Sequence, residues 1–260
     1  MKLREALRTA EQQLAAAGVD TPRVDAELLL AHVLRTTRSG LYAEPDREVE
    51  DAWGPLLARR AAREPLAYVL GEWGFRRLTL KTDARALIPR PETEILVERA
   101  LALLEGTDAP RVLDIGVGSG AIALALKDER PDAQVVGVDV SHEALALARE
   151  NAERLGIDVE LRVGDIGAAV EGWELVVSNP PYVDTLEGLQ PELRHEPRRA
   201  LLGDGFHERI ARTAQTRLLV LEVGDGQADE IAGGVRAAGY RDVTITRDLA
   251  GVERVVEGRR

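Results

Sequence analysis

The sequence predicts an α/β fold, with an open sheet of short apolar strands that follows a small helical bundle. Three observations carry that expectation. Short β-branched runs recur from Arg111 onward and alternate with stretches of helical spacing. Several of these runs end on glycine or an acid, as at Gly116–Gly120, Asp139 and Gly164-Asp165. Residues 1 to about 70 carry helical spacing alone.

Leu3, Ala6, Leu7, Ala10 and Leu14 define the first helix, and Gly18 stands where a C-terminal cap belongs. Thr21-Pro22 reads as an N-cap with proline in the first turn, and Val24, Leu28, Ala31 and Leu34 carry the second helix. A third helical stretch is expected from about Arg47 to Arg63, with Trp53, Leu56, Leu57 and Ala61 on one side. Residues 1–70 therefore read as a helical domain. Gly71 and Gly74 then break the helix, and Phe75, Leu78 and Leu80 alternate with polar residues. Residues 71–91 read as a β-hairpin linker, and 92–260 as the α/β domain. Thr93 or Glu92 opens that domain's first helix, with acids in a first turn whose dipole favours them.

Arg111 to Ile115 reads as a strand, and Gly116-Val117-Gly118-Ser119-Gly120 follows it directly. Glycines permit a tight turn and let a ligand approach the backbone. The next strand ends in Asp139, 19 positions after Gly120, where an acid can hydrogen-bond the two hydroxyls of a ribose. Asp114 is a second acid in the same mouth. The third strand ends at Gly164-Asp165-Ile166; Asp165 can reach an adenine amino group and Ile166 can cover its face. Leu218 to Val223 reads as the fifth strand, and Val243–Ile245 with Val252–Val256 as a final antiparallel pair.

The fourth strand, Leu175 to Val177, runs into Ser178-Asn179-Pro180-Pro181-Tyr182. The prolines cannot donate ladder hydrogen bonds, so the chain leaves the sheet in a stiff turn. Strand ends of this kind are where open α/β sheets bind ligands. The Asn179 side-chain oxygen and the Pro180 carbonyl are two acceptors that can face the two N–H bonds of a planar amino group. The nitrogen of an amide or an adenine is a poor nucleophile because its lone pair is conjugated. Holding both hydrogens aside aims that lone pair at an electrophile, and Tyr182 can stack on the flat group.

Composition narrows the function. Hydrophobic residues make up 45% and charged residues 30%, which suits a soluble globular chain. The absence of cysteine excludes disulfides and thiolate metal sites. No apolar run approaches the roughly 18 residues of a membrane span, and Met1–Glu5 lacks a signal-peptide core. A cytoplasmic address is the expectation. A net charge of -11 argues against a protein that holds nucleic acid through its phosphates.

The chain resembles the HemK-type N5-glutamine methyltransferases of peptide chain release factors. The resemblance runs through Glu64–Gly71, Leu87–Glu94, Asp114–Gly120, Asn179–Tyr182, Glu196-Pro197, Leu221–Gly224 and Asp248–Val256. The Ile-Pro-Arg-Pro-Glu-Thr-Glu run at 88–94 together with Asn-Pro-Pro-Tyr at 179–182 is its specific part. It implies a seven-stranded, Rossmann-like, S-adenosylmethionine-dependent methyltransferase domain, behind a helical substrate-recognition domain. By the same resemblance, Gly116, Val117, Gly118, Ser119 and Gly120 pass the methionine and ribose, with Asp114 in the same mouth. Asp139 holds the ribose hydroxyls, and Asp165 and Ile166 the adenine. Asn179, Pro180, Pro181 and Tyr182 hold the glutamine of a Gly-Gly-Gln loop, so the implied partner is a release factor and the implied process translation termination. Val117 stands where the family usually has Thr, and the segment between Glu196 and Leu218 is shorter than the family pattern.

Three rivals are compatible with parts of the sequence. An adenine-N6 nucleic-acid methyltransferase also uses Asn-Pro-Pro-Tyr, but the acidic balance opposes it. A non-catalytic protein on a degenerate methyltransferase fold is supported only by the short segment before Leu218. A nicotinamide-dependent reductase leaves Asn179–Tyr182 idle.

Overall fold

The computed structural model describes residues 1–50, 52–203 and 205–260. Asp51, in the third expected helical stretch, and Asp204, in the segment before the fifth strand, lie outside the described residues. The chain divides into two compact units, Met1–Glu72 with Leu189–His195, and Trp73–Gly188 with Glu196–Arg260.

The first unit holds α1 (Leu3–Ala16), α2 (Pro22–Leu34), α3 (Arg38–Ala43), α4 (Gly54–Ala61) and α5 (Leu66–Leu70). Leu3, Leu7, Leu14, Leu29, Leu30 and Leu57 meet in its core. Burying such a side chain contributes about 1.5–3 kcal/mol. Two sequence expectations change here. The helix expected from about Arg47 starts only at Gly54, where Pro55 sits in the first turn as proline prefers. Upstream, the chain instead bonds to the N-terminus: Leu3 N–H donates to the Arg47 carbonyl at 2.9 Å and Val49 N–H to the Met1 carbonyl at 3.0 Å. The second change is the face of α2. Asp25, Ala26, Glu27, Leu29 and Leu30 are buried, while Val24 and Leu28 are only half-buried. The buried acids are paired: Arg60 Nε lies 2.6 Å from Asp25, and Arg23 and Arg38 hold Glu27 at 2.7 and 2.6 Å. Pairing of this kind makes a buried carboxylate tolerable. Leu189–His195, expected within the α/β domain, belongs to this unit through Glu192, which accepts from Arg60 at 2.8 Å and Arg63 at 2.7 Å.

A hairpin follows, β1 (Glu72–Phe75) and β2 (Leu78–Lys81). The second unit continues with α6 (Thr93–Leu103), β3 (Arg111–Ile115), α7 (Ala121–Glu129), β4 (Gln134–Asp139), α8 (His142–Leu155), β5 (Glu160–Val163) and β6 (Trp173–Ser178). After α9 (Arg198–Leu201) and α10 (Phe206–Thr213) come β7 (Thr216–Glu222), α11 (Ala228–Ala237), β8 (Arg241–Arg247) and β9 (Glu253–Arg259).

Seven of these strands form one sheet in the order β5-β4-β3-β6-β7-β9-β8. Strands β3 to β7 are parallel, and β9 runs antiparallel to both β7 and β8. The expected antiparallel pair is present, with its later strand inserted beside β7. Successive residues of the central strands point to opposite faces. Val112, Leu175 and Val177 meet α6, α7 and α8 residues such as Leu96, Leu124 and Leu145. Leu113 and Val176 meet Ile210, Ala228 and Val235 on the other side. Cover on both faces explains why these strands read as unbroken apolar runs. The strand order reverses between β3 and β6, and a crevice at their C-terminal ends is the expected ligand position. Among the described residues, no helix is long and apolar enough to cross a membrane.

Candidate active site

At those C-terminal ends lies a cavity of about 470 Å³ within the second unit. Gly116, Val117, Gly118, Ser119, Asp139, Asp165, Ile166, Asn179, Pro180 and Pro181 all line it. Residues from four strand ends, far apart in sequence, therefore share one space.

The glycine loop is fixed from below. Gly116 and Val117 N–H groups both donate to the Val138 carbonyl, at 2.8 and 2.9 Å. Gly116 has φ +76, and nothing lies within 4 Å of an added Cβ, so bare backbone faces the cavity. Gly120, at φ +89, plays a packing role: its added Cβ would come 2.9 Å from Leu124 Cδ1. Gly120 does not line the cavity. Val117 is buried over Gly137, where a Cβ would meet its Cγ2 at 2.6 Å. An apolar side chain thus suits this position.

Asp139 closes the loop from β4. Its Oδ2 accepts from Gly118 N–H at 3.0 Å and its Oδ1 from Ser141 N–H at 2.8 Å. An ionised carboxylate has about four acceptor positions, so these bonds leave capacity for a ligand. Asp165 caps the short 3₁₀ turn Ile166–Val170, accepting from Gly167 N–H at 2.8 Å. Ile166 is buried beside it.

Asp114 departs from the sequence expectation. It is fully buried behind the loop and outside the cavity lining, with Oδ2 accepting from Ala123 N–H at 3.1 Å and Oδ1 without a partner among the described residues. Burial pushes its carboxyl up to about 7, and the nearby Asp139 charge adds to the shift against the Ala123 N–H. It is placed to support the loop from beneath.

The turn after β6 is anchored by Ser178, whose buried Oγ donates to the Ile115 carbonyl at 2.7 Å. Asn179 Nδ2 donates to Thr93 Oγ1 at 3.3 Å. Its oxygen end takes no hydrogen bond from the described residues. Tyr182, expected to stack on a substrate, does not line the cavity. Its ring centroid lies 6.4 Å from that of His207, and its carbonyl accepts from Gln227 Nε2 at 3.1 Å. Burial pushes its phenol up to about 12. The turn of two prolines carries the ring past the cavity toward the end of β7.

Three contributors were given no site role by the sequence reading. Ile88, Pro89 and Arg90 form one wall of the cavity. Buried Glu196 holds that wall, accepting from Ile88 N–H at 3.0 Å and from the Arg90 guanidinium. Fully buried Asn151 on α8 ties the glycine loop to β2: its Nδ2 donates to the Ser119 carbonyl at 2.9 Å and its Oδ1 accepts from Lys81 N–H at 2.7 Å. Its spacing from Ala144 and Ala148 puts an amide on the buried face of α8, a signal readable in sequence. No group of three or more His, Cys, Asp or Glu among the described residues has metal-site geometry.

Comparison with known proteins places these features. The PrmC N-terminal domain family matches residues 5–71, and the methyltransferase small domain family matches residues 92–211. The release factor glutamine methyltransferase of Deinococcus radiodurans is 45% identical over 280 aligned residues, covering 100% of this chain and 99% of that protein. The chain belongs to the release factor glutamine methyltransferase family. The Geobacter sulfurreducens member of that family is 43% identical, covering 99% of this chain and 96% of its own. Among solved structures, the hMettl16 catalytic domain in complex with a MAT2A 3′UTR hairpin is similar with a TM-score of 0.57. It is 17% identical and covers 78% of this chain and 80% of that chain, a likeness of fold. In release factor glutamine methyltransferase terms, the helical unit corresponds to the first matched family, and the cavity to the second together with residues 85–90 just before it.

Proposed function

We propose that this chain transfers a methyl group from S-adenosylmethionine to the side-chain amide nitrogen of a glutamine in the Gly-Gly-Gln loop of a peptide chain release factor. The observation that carries this reading is one cavity shared by a bare-backbone glycine loop, two strand-end acids and the Asn179-Pro180-Pro181 turn.

The residues present fit the cofactor. Gly116 offers backbone where a side chain would fill the cradle. Asp139 keeps acceptor positions for ribose hydroxyls beyond its bonds to Gly118 and Ser141. Asp165 and Ile166 stand at the next strand end for an adenine amino group and face. Bound there, the cofactor supplies an electrophilic methyl carried on a sulfonium.

The work left to the chain is positioning and electrostatics. The Asn179 oxygen and the Pro180 carbonyl accept the two amide hydrogens, which turns the glutamine nitrogen's lone pair toward the methyl. These acceptors interact more strongly as positive charge develops on nitrogen, so they favour the transition state over the ground state. The apolar wall of Ile88, Pro89 and Ile166 excludes water and strengthens those contacts. The helical unit supplies recognition of the protein partner outside the reacting loop.

Incubation with methyl-labelled S-adenosylmethionine and purified release factor, with duplex DNA as a parallel substrate, tests the reading. Label should appear on the loop glutamine and be absent from DNA; label on adenine with none on the factor overturns it.

A further inference from the structure

The C-terminal end of β7 carries a side chain that methyl transfer, as derived so far, leaves idle. Glu222 is fully buried, and neither carboxylate oxygen has a hydrogen-bond partner among the described residues. A buried carboxyl in that state has lost its water without a partner to replace it, which destabilises the fold. A leucine would fill the same space without that cost.

Its surroundings suggest what offsets the cost. β7 runs parallel to β6 with Leu221 opposite Ser178, so Glu222 and Asn179 are the next residues on neighbouring strands. Burial pushes the Glu222 carboxyl up to about 7, and the Thr93 hydroxyl, which faces it without meeting hydrogen-bond geometry, is the largest influence drawing it down. Thr93 is itself buried and lines the cavity, and its Oγ1 accepts from Asn179 Nδ2 at 3.3 Å. Asn179, Thr93 and Glu222 therefore stand in series from the cavity inward. The other charged or titratable groups facing Glu222 are Glu92, Tyr182, Arg90 and Arg254. Arg90 is engaged by Glu196 and Arg254 by Asp248 at 3.0 Å. The Glu222 backbone is held separately, its carbonyl 2.7 Å from His207 Nε2.

An asparagine amide has two ends of nearly equal size, one a donor and one an acceptor. Turned over, Asn179 would present N–H bonds to the N–H bonds of the substrate amide. We propose that Glu222 is a positioning residue: a small rotation of the Thr93 side chain lets the Glu222 carboxyl take its hydroxyl hydrogen, which commits the Thr93 oxygen to accept from Asn179 Nδ2 and holds the Asn179 oxygen toward the substrate nitrogen. This inference rests on the role given above to Asn179.

The test is a set of full-length variants measured for turnover on release factor, cofactor affinity and thermal midpoint. Glu222→Leu should raise the midpoint, because one hydroxyl offsets only part of the cost of a buried carboxyl, yet lower kcat about tenfold with cofactor affinity within about twofold. Glu222→Gln should keep most of kcat, since its amide oxygen still accepts from Thr93. Thr93→Val should match the loss in Glu222→Leu, with Thr93→Ser restoring most of it. Combining Glu222→Leu with Thr93→Val should add little, as expected for residues acting in one chain. Wild-type kcat in Glu222→Leu overturns the proposal, as does full additivity of the pair. If Glu222→Leu does not fold, the Thr93 variants decide: wild-type kcat in Thr93→Val overturns it, and a loss that serine restores supports it. Asn179→Ala in parallel separates the two readings, since an active Asn179→Ala removes the underlying role, whereas an impaired one beside an active Glu222→Leu removes only the relay.

Discussion

At the scale of single residues, the cavity rests on atoms whose roles differ from what their types suggest. Asn179 keeps an acceptor free at the cavity because its donor end is spent on Thr93. Asn179→Ala should leave the fold intact and reduce single-turnover methylation about 100- to 1000-fold, the scale of losing one preorganised polar partner of a transition state. Turnover above about a tenth of wild type would show that the turn does not work through two acceptors. Asp114 and Glu222 bear a second, pH-dependent consequence, since burial pushes both carboxyls up to about 7. A folded-state pKa above the unfolded value stabilises the protonated fold. That contribution is fully present below about pH 4 and is lost as pH rises to about 7. Asp114→Asn should therefore flatten the fall in unfolding free energy across that window, measured by urea titration at a series of pH values. An unchanged slope would mean that Asp114 ionises freely in the fold. Asp139, Asp165 and Asn179 could be picked out from sequence because strand ends and breaker residues mark them. Glu222 and Glu196 were marked only as parts of the family pattern and could be given no role, because nothing local distinguishes a buried carboxylate from a solvated one.

At the scale of elements, the same limit explains which helices were legible. The apolar spacing of α1 is regular, and its buried residues are those the periodicity selects. On α2, Asp25 and Glu27 count as polar in any periodic reading, yet both are buried because Arg60 and Arg38 reach them from other helices, joined at Glu27 by Arg23 one turn earlier on α2. Periodicity is local, whereas ion pairing is decided by tertiary neighbours. The strands were legible for the converse reason: a sheet covered on both faces writes its burial into continuous apolar runs. The Arg60 cluster gives a sharp contrast in energy. Arg60 is 7% exposed and meets Asp25 and Glu192, whereas the Arg4–Asp46 pair is more than 60% exposed on both sides. Arg60→Ala should destabilise the helical unit by about 3–5 kcal/mol by leaving buried acids unpaired. Arg4→Ala should cost about 0–1 kcal/mol. Far-UV circular dichroism melts of the two variants make the comparison, and equal melts would show that the buried network contributes nothing particular.

At the scale of the whole molecule, the two units divide the labour proposed for them. If the helical unit recognises the release factor outside its reacting loop, a short Gly-Gly-Gln peptide should be methylated with kcat/KM at least about 100-fold below the intact factor, the loss lying mainly in KM. Equal efficiency on peptide and protein would confine recognition to the cavity. The order of strands has a further consequence, in time rather than in space. β9 is made after β8 but lies between β8 and β7. During synthesis, β7 therefore emerges with one edge open, and its Leu218–Glu222 backbone waits for residues 255–259. β8 emerges earlier than the strand that must seat it. An unpaired apolar edge is a template for pairing with other chains, and slow, late closure prolongs that hazard on the ribosome. The strand that seals the edge also brings Val255 opposite Glu222. The relay behind Asn179 is therefore among the last parts of the protein to be walled off from water as the nascent chain matures.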